Sequence, residues 1–129
     1  MAYSKKSFLE HVAIRVRDID WHIRFFREVF GMTPYRANGP ENAPEKVWTI
    51  GGMQFNADPE FSGPEGRTDH LGIMVDDLEE VLQEAQKWEG VKTLPQGRHW
   101  LALPDGLVLE LMEARTGSVA EALAVKLRP

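Results

Sequence analysis

The chain has 129 residues, 43% of them hydrophobic, which is enough for one ordinary globular domain but not for two independent cores. Its formal net charge is −5, and Lys and Arg are scattered among acids, so nothing suits a nucleic-acid backbone. No cysteine is present, which excludes disulfides, thiolate metal sites and cysteine nucleophiles; no apolar run resembles a signal peptide or membrane span, and a cytoplasmic protein is expected.

In chain order, residues 8–17 predict a strand with His11, Ala13 and Arg15 on one face and Val12, Ile14 and Val16 on the other. A helix over roughly 19–30 follows, with Asp18 or Asp20 as its cap and Gly31 as its stop. The stretch 38–44, rich in Gly, Asn and Pro, is a loop. It leads to a strand with Gln54 and Asn56 on one face and Met53, Phe55 and Ala57 on the other. Residues 58–66 form a Gly- and Pro-rich link. A strand over about 69–75 then alternates His70, Gly72 and Met74 with Leu71, Ile73 and Val75. Asp76 or Asp77 caps a second helix running to about Trp88. Strands at 98–103 and 107–113 flank Asp105-Gly106, a hairpin turn signal. Val108, Glu110 and Met112 share a face opposite Leu107, Leu109 and Leu111. Residues 118–127 carry Val119, Ala122, Leu123 and Leu127 at helical spacing, a short amphipathic helix.

The chain reads as one unit written twice. His11-Val-Ala-Ile-Arg-Val-Arg-Asp18 lies without a gap over His70-Leu-Gly-Ile-Met-Val-Asp-Asp77. The match continues through the helix, with Ile19 on Leu78, Ile23 on Leu82 and Gly31 on Gly90. Later, at a shorter offset, Gly51-Gly-Met-Gln-Phe-Asn56 matches Asp105-Gly-Leu-Val-Leu-Glu110. Each half is a strand, a helix and two or three further strands, with module one at about 7–57, module two at about 67–115 and a tail at 116–129.

Every polar candidate falls on the strand face opposite the apolar one. Two imidazoles and a carboxylate, His11, His70 and Glu110, make a common donor set for Fe, Ni, Co, Zn or Mn. Either histidine alone would read as a half-buried packing residue. Their duplicated position and the in-phase Glu110 favour one divalent ion.

With His on the first strand of each module and Glu before Leu-Met on the last, the chain resembles the vicinal oxygen chelate superfamily. Asp18-Ile-Asp-Trp-His-Ile-Arg-Phe-Phe26, Val29-Phe-Gly-Met32 and Leu103-Pro-Asp-Gly106 are similar to its common sequence blocks. That group includes glyoxalase I, methylmalonyl-CoA epimerase, extradiol dioxygenases and bleomycin resistance proteins. The resemblance covers about residues 7–115 and implies a single α+β domain. In it, two tandem βαβββ modules form an open, cupped mixed sheet with helices on the convex face, usually as a homodimer.

The resemblance further implies a metal-dependent lyase or isomerase acting on a small oxygenated substrate through a metal-stabilised enediolate. An iron(II) ring-cleaving dioxygenase and a metal-free, bleomycin-resistance-type binding protein are the alternatives. At the fourth ligand position glyoxalase I carries a glutamate, and Asn56 aligns there in this chain. A neutral amide is a weak ligand and no general base, so an epimerase-like site with an amide ligand, or an open facial triad with waters, fits better. Asn56 could equally be a hydrogen-bonding neighbour.

His99 is the first candidate for an acid or base if Asp105-Gly106 makes a two-residue turn; otherwise it is a solvated edge histidine. Arg15 could bind a substrate carboxylate or phosphate, or form a rim salt bridge. Trp48 and Trp100 could line the pocket or simply pack.

Overall fold

A computed structural model of the chain describes residues 2–104 and 106–128. Its elements in chain order are β1 (Ser7–Val16), α1 (Ile19–Phe30), β2 (Pro34–Asn38), β3 (Lys46–Thr49) and β4 (Met53–Ala57). They are followed by β5 (Thr68–Val75), α2 (Leu78–Ala85), β6 (Lys92–Leu94), β7 (Gly97–Ala102), β8 (Val108–Glu113) and α3 (Ser118–Ala124). The class is α+β, and the βαβββ pattern occurs twice. The chain forms two compact units, His11–His70 on the one hand and Met1–Glu10 with Leu71–Pro129 on the other. β1 and β5 are each divided between the two, so each unit contains part of both strands.

In the 11–70 unit the strand order is β2-β3-β4-β1-β5. β4 runs parallel to β1, while β3 is antiparallel to both β4 and β2. α1 starts where the Asp18 carboxylate accepts the Trp21 N–H, which satisfies one of the helix's orphan donors. It ends at Gly31, whose φ of 69° is the left-handed conformation that glycine adopts without a Cβ clash. Ile19, Ile23 and Phe26 turn the apolar stripe of α1 onto Val16, Val47 and the fully buried Phe55. The apolar face of β1 and β4 is thereby covered, and the face bearing His11 is the opposite one.

In the second unit the order is β1-β5-β8-β7-β6, with β8 parallel to β5 and antiparallel to β7. Leu82 of α2 packs on Leu101 and Leu111. α2 ends at Ala85, short of the expected Trp88, because the next amides take tighter bonds: Lys87 N–H to Glu84 O and Trp88 N–H to Ala85 O, both 3.1 Å. Val119 anchors α3 with no exposed surface.

The expected turn at Asp105-Gly106 includes Asp105, which lies outside the described residues. The flanking register nevertheless closes one residue wider than a two-residue turn, with Ala102 opposite Val108 and the Leu103 N–H bonded to Leu107 O. This changes which face each residue of β7 takes. Among the described residues no helix is long and apolar enough to cross a membrane.

The N-terminal segment is tied to the start of α2. The Ser4 N–H and hydroxyl both donate to Glu80, Lys5 pairs with Asp77 at 3.2 Å, and Tyr3 Oη accepts the Asp76 and Asp77 N–H groups. The Glu80 amide above all, with Lys5, holds the Asp77 carboxyl below its usual range; the Ser4 donors do the same for Glu80. The hydrogen bond to Asp77 raises Lys5. Depressed acids stabilise above their unfolded-state pKa and lose that effect as pH falls through the folded values. A raised lysine stabilises below its unfolded pKa and loses it as pH rises through the folded one. The protection of the Ser4 amide, its exchange rate compared with the intrinsic rate at the same pH, should therefore be greatest between the ordinary carboxylate and lysine ranges and fall on both sides. A flat profile would show that this clamp does not form in solution.

Candidate metal centre

The 11–70 unit buries three polar side chains on the face away from α1: His11, Gln54 and His70, at 5%, 2% and 3% exposure. Buried polar groups carry a desolvation cost unless partnered, so such a cluster calls for a chemical reason. β1 supplies His11, β4 supplies Gln54 and the start of β5 supplies His70. The imidazoles meet edge to face, with His11 Nε2 lying 3.1 Å from His70 Nε2.

The orientation of His70 is set from behind. Its Nδ1 lies 2.6 Å from Asp69 Oδ2, and Asp69 Oδ1 accepts from Arg15 Nη2 at 2.7 Å. Arg15 Nη1 donates to the Gly66 and Thr68 carbonyls at 2.6 and 3.2 Å. A carboxylate only accepts, so His70 Nδ1 carries a proton toward Asp69 and Nε2 is the nitrogen that faces the cluster. The hydrogen bond with His70 is the main reason the Asp69 carboxyl titrates below its usual range; the Arg15 charge adds to it, and burial opposes both.

Parallel register decides the remaining positions. Ala13 stands opposite Gln54 and Arg15 opposite Asn56, while Gly72 stands opposite Glu110 and Met74 opposite Met112. Ala13 and Gly72 are duplicate positions, so Gln54 is the counterpart of Glu110, and Asn56 is the counterpart of Met112. The corner expected for Asn56 is thus taken by Gln54. Asn56 Oδ1 accepts a hydrogen bond from Gln54 Nε2 at 2.8 Å, which occupies the amide nitrogen and turns the Gln54 oxygen away. Gln54 was within reach of sequence reading, since it shares the ligand face; only the register against β1 was missing.

The other expected residues separate in the same way. In β7, Trp100 stands opposite Glu110, so it takes the Glu110 side of its sheet, while His99 takes the other side with the buried Leu101. The wider hairpin removes the condition on which His99 was a catalytic candidate. Trp48 stands opposite Gln54 as Trp100 does opposite Glu110, and the Arg36 guanidinium lies 4.7 Å from the Trp48 ring centre. Arg15, read as a substrate anchor or a salt-bridge residue, forms the salt bridge, with Asp69, and also donates to two carbonyls.

The family model of the Glyoxalase/Bleomycin resistance protein/Dioxygenase superfamily matches residues 8–122, and the chain belongs to that superfamily. Among solved structures it is similar to hypothetical protein BH1468 from Bacillus halodurans, with 17% identity over 86% of this chain and 96% of that one and a TM-score of 0.61. It is also similar to Streptomyces coelicolor methylmalonyl-CoA epimerase in complex with 2-nitronate-propionyl-CoA, with 16% identity, coverage of 84% and 95% and a TM-score of 0.59. The 2,3-dioxygenase LapB from Pseudomonas sp. KL28 matches at 17% identity over 82% of this chain but 42% of its own, with a TM-score of 0.60. At these identities the likeness concerns the fold. No curated protein matches the sequence.

The Asp69 contact gives a direct expectation. Long-range proton–nitrogen spectra of the imidazoles should find His70 as the Nδ1–H tautomer in the wild type, and a mixture of tautomers in Asp69→Asn. A wild-type His70 protonated mainly at Nε2 would contradict the geometry.

Proposed function

We propose that the chain is a metal-dependent isomerase or lyase of the epimerase type, with one divalent ion held by His11, Gln54, His70 and Glu110. The observation that carries this reading is the approach of two buried imidazole Nε2 atoms to 3.1 Å, beside a buried amide on the same face. Two nitrogens each about 2.1 Å from one ion and roughly at right angles are about 3.0 Å apart, so the pair has the spacing of adjacent ligands. The donors are two neutral nitrogens, one neutral oxygen and one carboxylate, a set suited to Fe, Ni, Co, Zn or Mn.

When bound, the ion would polarise a substrate carbonyl and stabilise negative charge developing on its oxygen. The protein residues have separate tasks. Asp69 keeps the His70 Nε2 lone pair available, and Arg15 holds Asp69. Asn56 fixes the Gln54 amide so that its oxygen faces the ligand set. Trp48 and Trp100, opposite Gln54 and Glu110, are proposed as apolar walls that exclude water around the substrate.

Gln54 favours isomerisation over ring cleavage. A fourth protein donor leaves fewer open positions than a two-histidine, one-carboxylate triad, and dioxygenases need those positions for both substrate and oxygen. The substrate class is a small acid or thioester with a carbonyl beside an exchangeable C–H, whose two oxygens could chelate. Methylmalonyl-CoA, named for the epimerase neighbour, is the first compound to try. A cytoplasmic homodimer is the expected setting.

Elemental analysis should find about one divalent ion per chain in the wild type and almost none in His70→Ala or Glu110→Ala. Gln54→Ala should weaken metal binding more than Asn56→Ala does; the reverse order would return the fourth position to Asn56. With an active substrate, deuterium from solvent should enter at the carbon next to the carbonyl. Oxygen uptake with a catechol in the iron-loaded protein, without such exchange, would replace this reading with the dioxygenase one. A metal-free wild type, with metal binding unchanged by His11→Ala, would favour a binding protein.

A further inference from the structure

The two modules differ most on their helix side. In the 11–70 unit, Phe26 packs its ring 5.1 Å from that of Phe55, and Phe25 and Phe30 lie 5.8 and 5.5 Å from Phe26. Counting from the capping residues Asp18 and Asp77, the counterparts of Phe25, Phe26 and Phe30 are Glu84, Ala85 and Glu89. Phe55, opposite Ile14, has as its counterpart Leu111, opposite Ile73. An interlocked set of four rings is thus replaced by two acids, a methyl group and a leucine, and α2 stops at Ala85 where α1 runs on to Phe30.

The second unit does not collapse to fill the difference. A cavity of about 500 Å3 opens there, walled by Ile73, Val75, Ala85, Leu101, Leu109 and Leu111. The space is an open apolar groove, so its walls face water and forgo the burial that a covering group would supply. It falls within the range of small-molecule sites. Among the described residues, the lining side chains that carry charge are Glu84 and Glu89, and no Lys or Arg contributes. The Tyr3 hydroxyl also lines it but already accepts two backbone N–H groups, leaving its ring as wall.

We propose that this cavity is a second binding site, separate from the candidate metal centre, for a small aromatic molecule carrying an amine. The ring occupies the volume that Phe26 fills in the first module, and the ammonium group faces Glu84 and Glu89. The site takes no residue from the metal-ligand set, so it stands or falls independently of the proposed reaction.

The test uses 2-phenylethylamine as probe and phenylacetate as its anionic counterpart, titrated into protein stripped of metal with a chelator. Methyl resonances of Val75, Leu109 and Leu111 report on the cavity. The amine should shift them saturably, and phenylacetate should bind at least about tenfold more weakly. Ala85→Phe, which restores the ring of the first module, should abolish the shifts and raise the unfolding temperature; Ala85→Leu serves if the larger ring does not fit. His70→Ala should bind the amine as the wild type does. The proposal is overturned if the amine shifts none of these methyls, if it binds Ala85→Phe or Ala85→Leu unchanged, or if phenylacetate binds equally well. It is also overturned if a second copy of the chain covers these methyls in the wild type.

Discussion

Parallel pairing of β1 with β4, and of β5 with β8, governs what each module can offer chemically. A parallel strand pair sets a fixed opposite number for every residue, and here those opposite numbers are unequal in size. Ala13 faces Gln54 and Gly72 faces Glu110, so each long polar side chain stands opposite one of the smallest residues. One strand position before each small residue on the same face is a histidine, His11 or His70. The repeated motif is therefore an imidazole, a small residue, and a long oxygen donor across from the small residue.

Cooperation between the strands extends to the hydrogen bonds behind the histidine. Holding an imidazole with a lone pair turned inward needs a proton acceptor on its other nitrogen. Asp69 does this from the adjacent position in β5, and Arg15 of β1 spans the strand pair to hold Asp69 and two carbonyls beyond it. An arginine and aspartate that could be read as a rim ion pair thus become support for the ring.

Much of this was legible in the sequence because the duplicated strands alternate with period two. That alternation identified the helix-covered face and the ligand face of four strands, and with them His11, His70 and Glu110. Register was not legible. The hairpin made by β3 and β4 aligns correctly with the one made by β7 and β8, yet it sits two residues further along its parallel partner. A slide of two preserves every face, so the pattern stayed consistent while the residue at the corner changed from Asn56 to Gln54. His99 depended instead on an odd-numbered change: one more residue in the hairpin connection moves it to the other face. Turn length is set by local backbone geometry around Pro104 and Gly106, which composition does not determine.

Duplication also gives an internal comparison that a single module would lack. The same frame supports a helix-side core in which Phe26 packs on the buried Phe55, with Phe25 and Phe30 at its exposed edge, and one left open beside Ala85 and Leu111. On the opposite face both modules keep a histidine and a long oxygen donor, while Arg15 and Asn56 of the first correspond to Met74 and Met112 of the second. Of the four ring positions, the core pair Phe26 and Phe55 become Ala85 and Leu111, which leaves an apolar gap that a larger hydrophobic residue would fill with a gain in stability. The exposed pair Phe25 and Phe30 become Glu84 and Glu89, which puts two carboxylates at the rim of that gap. That combination suits a site kept open for a positively charged guest better than it suits a core merely left unfinished.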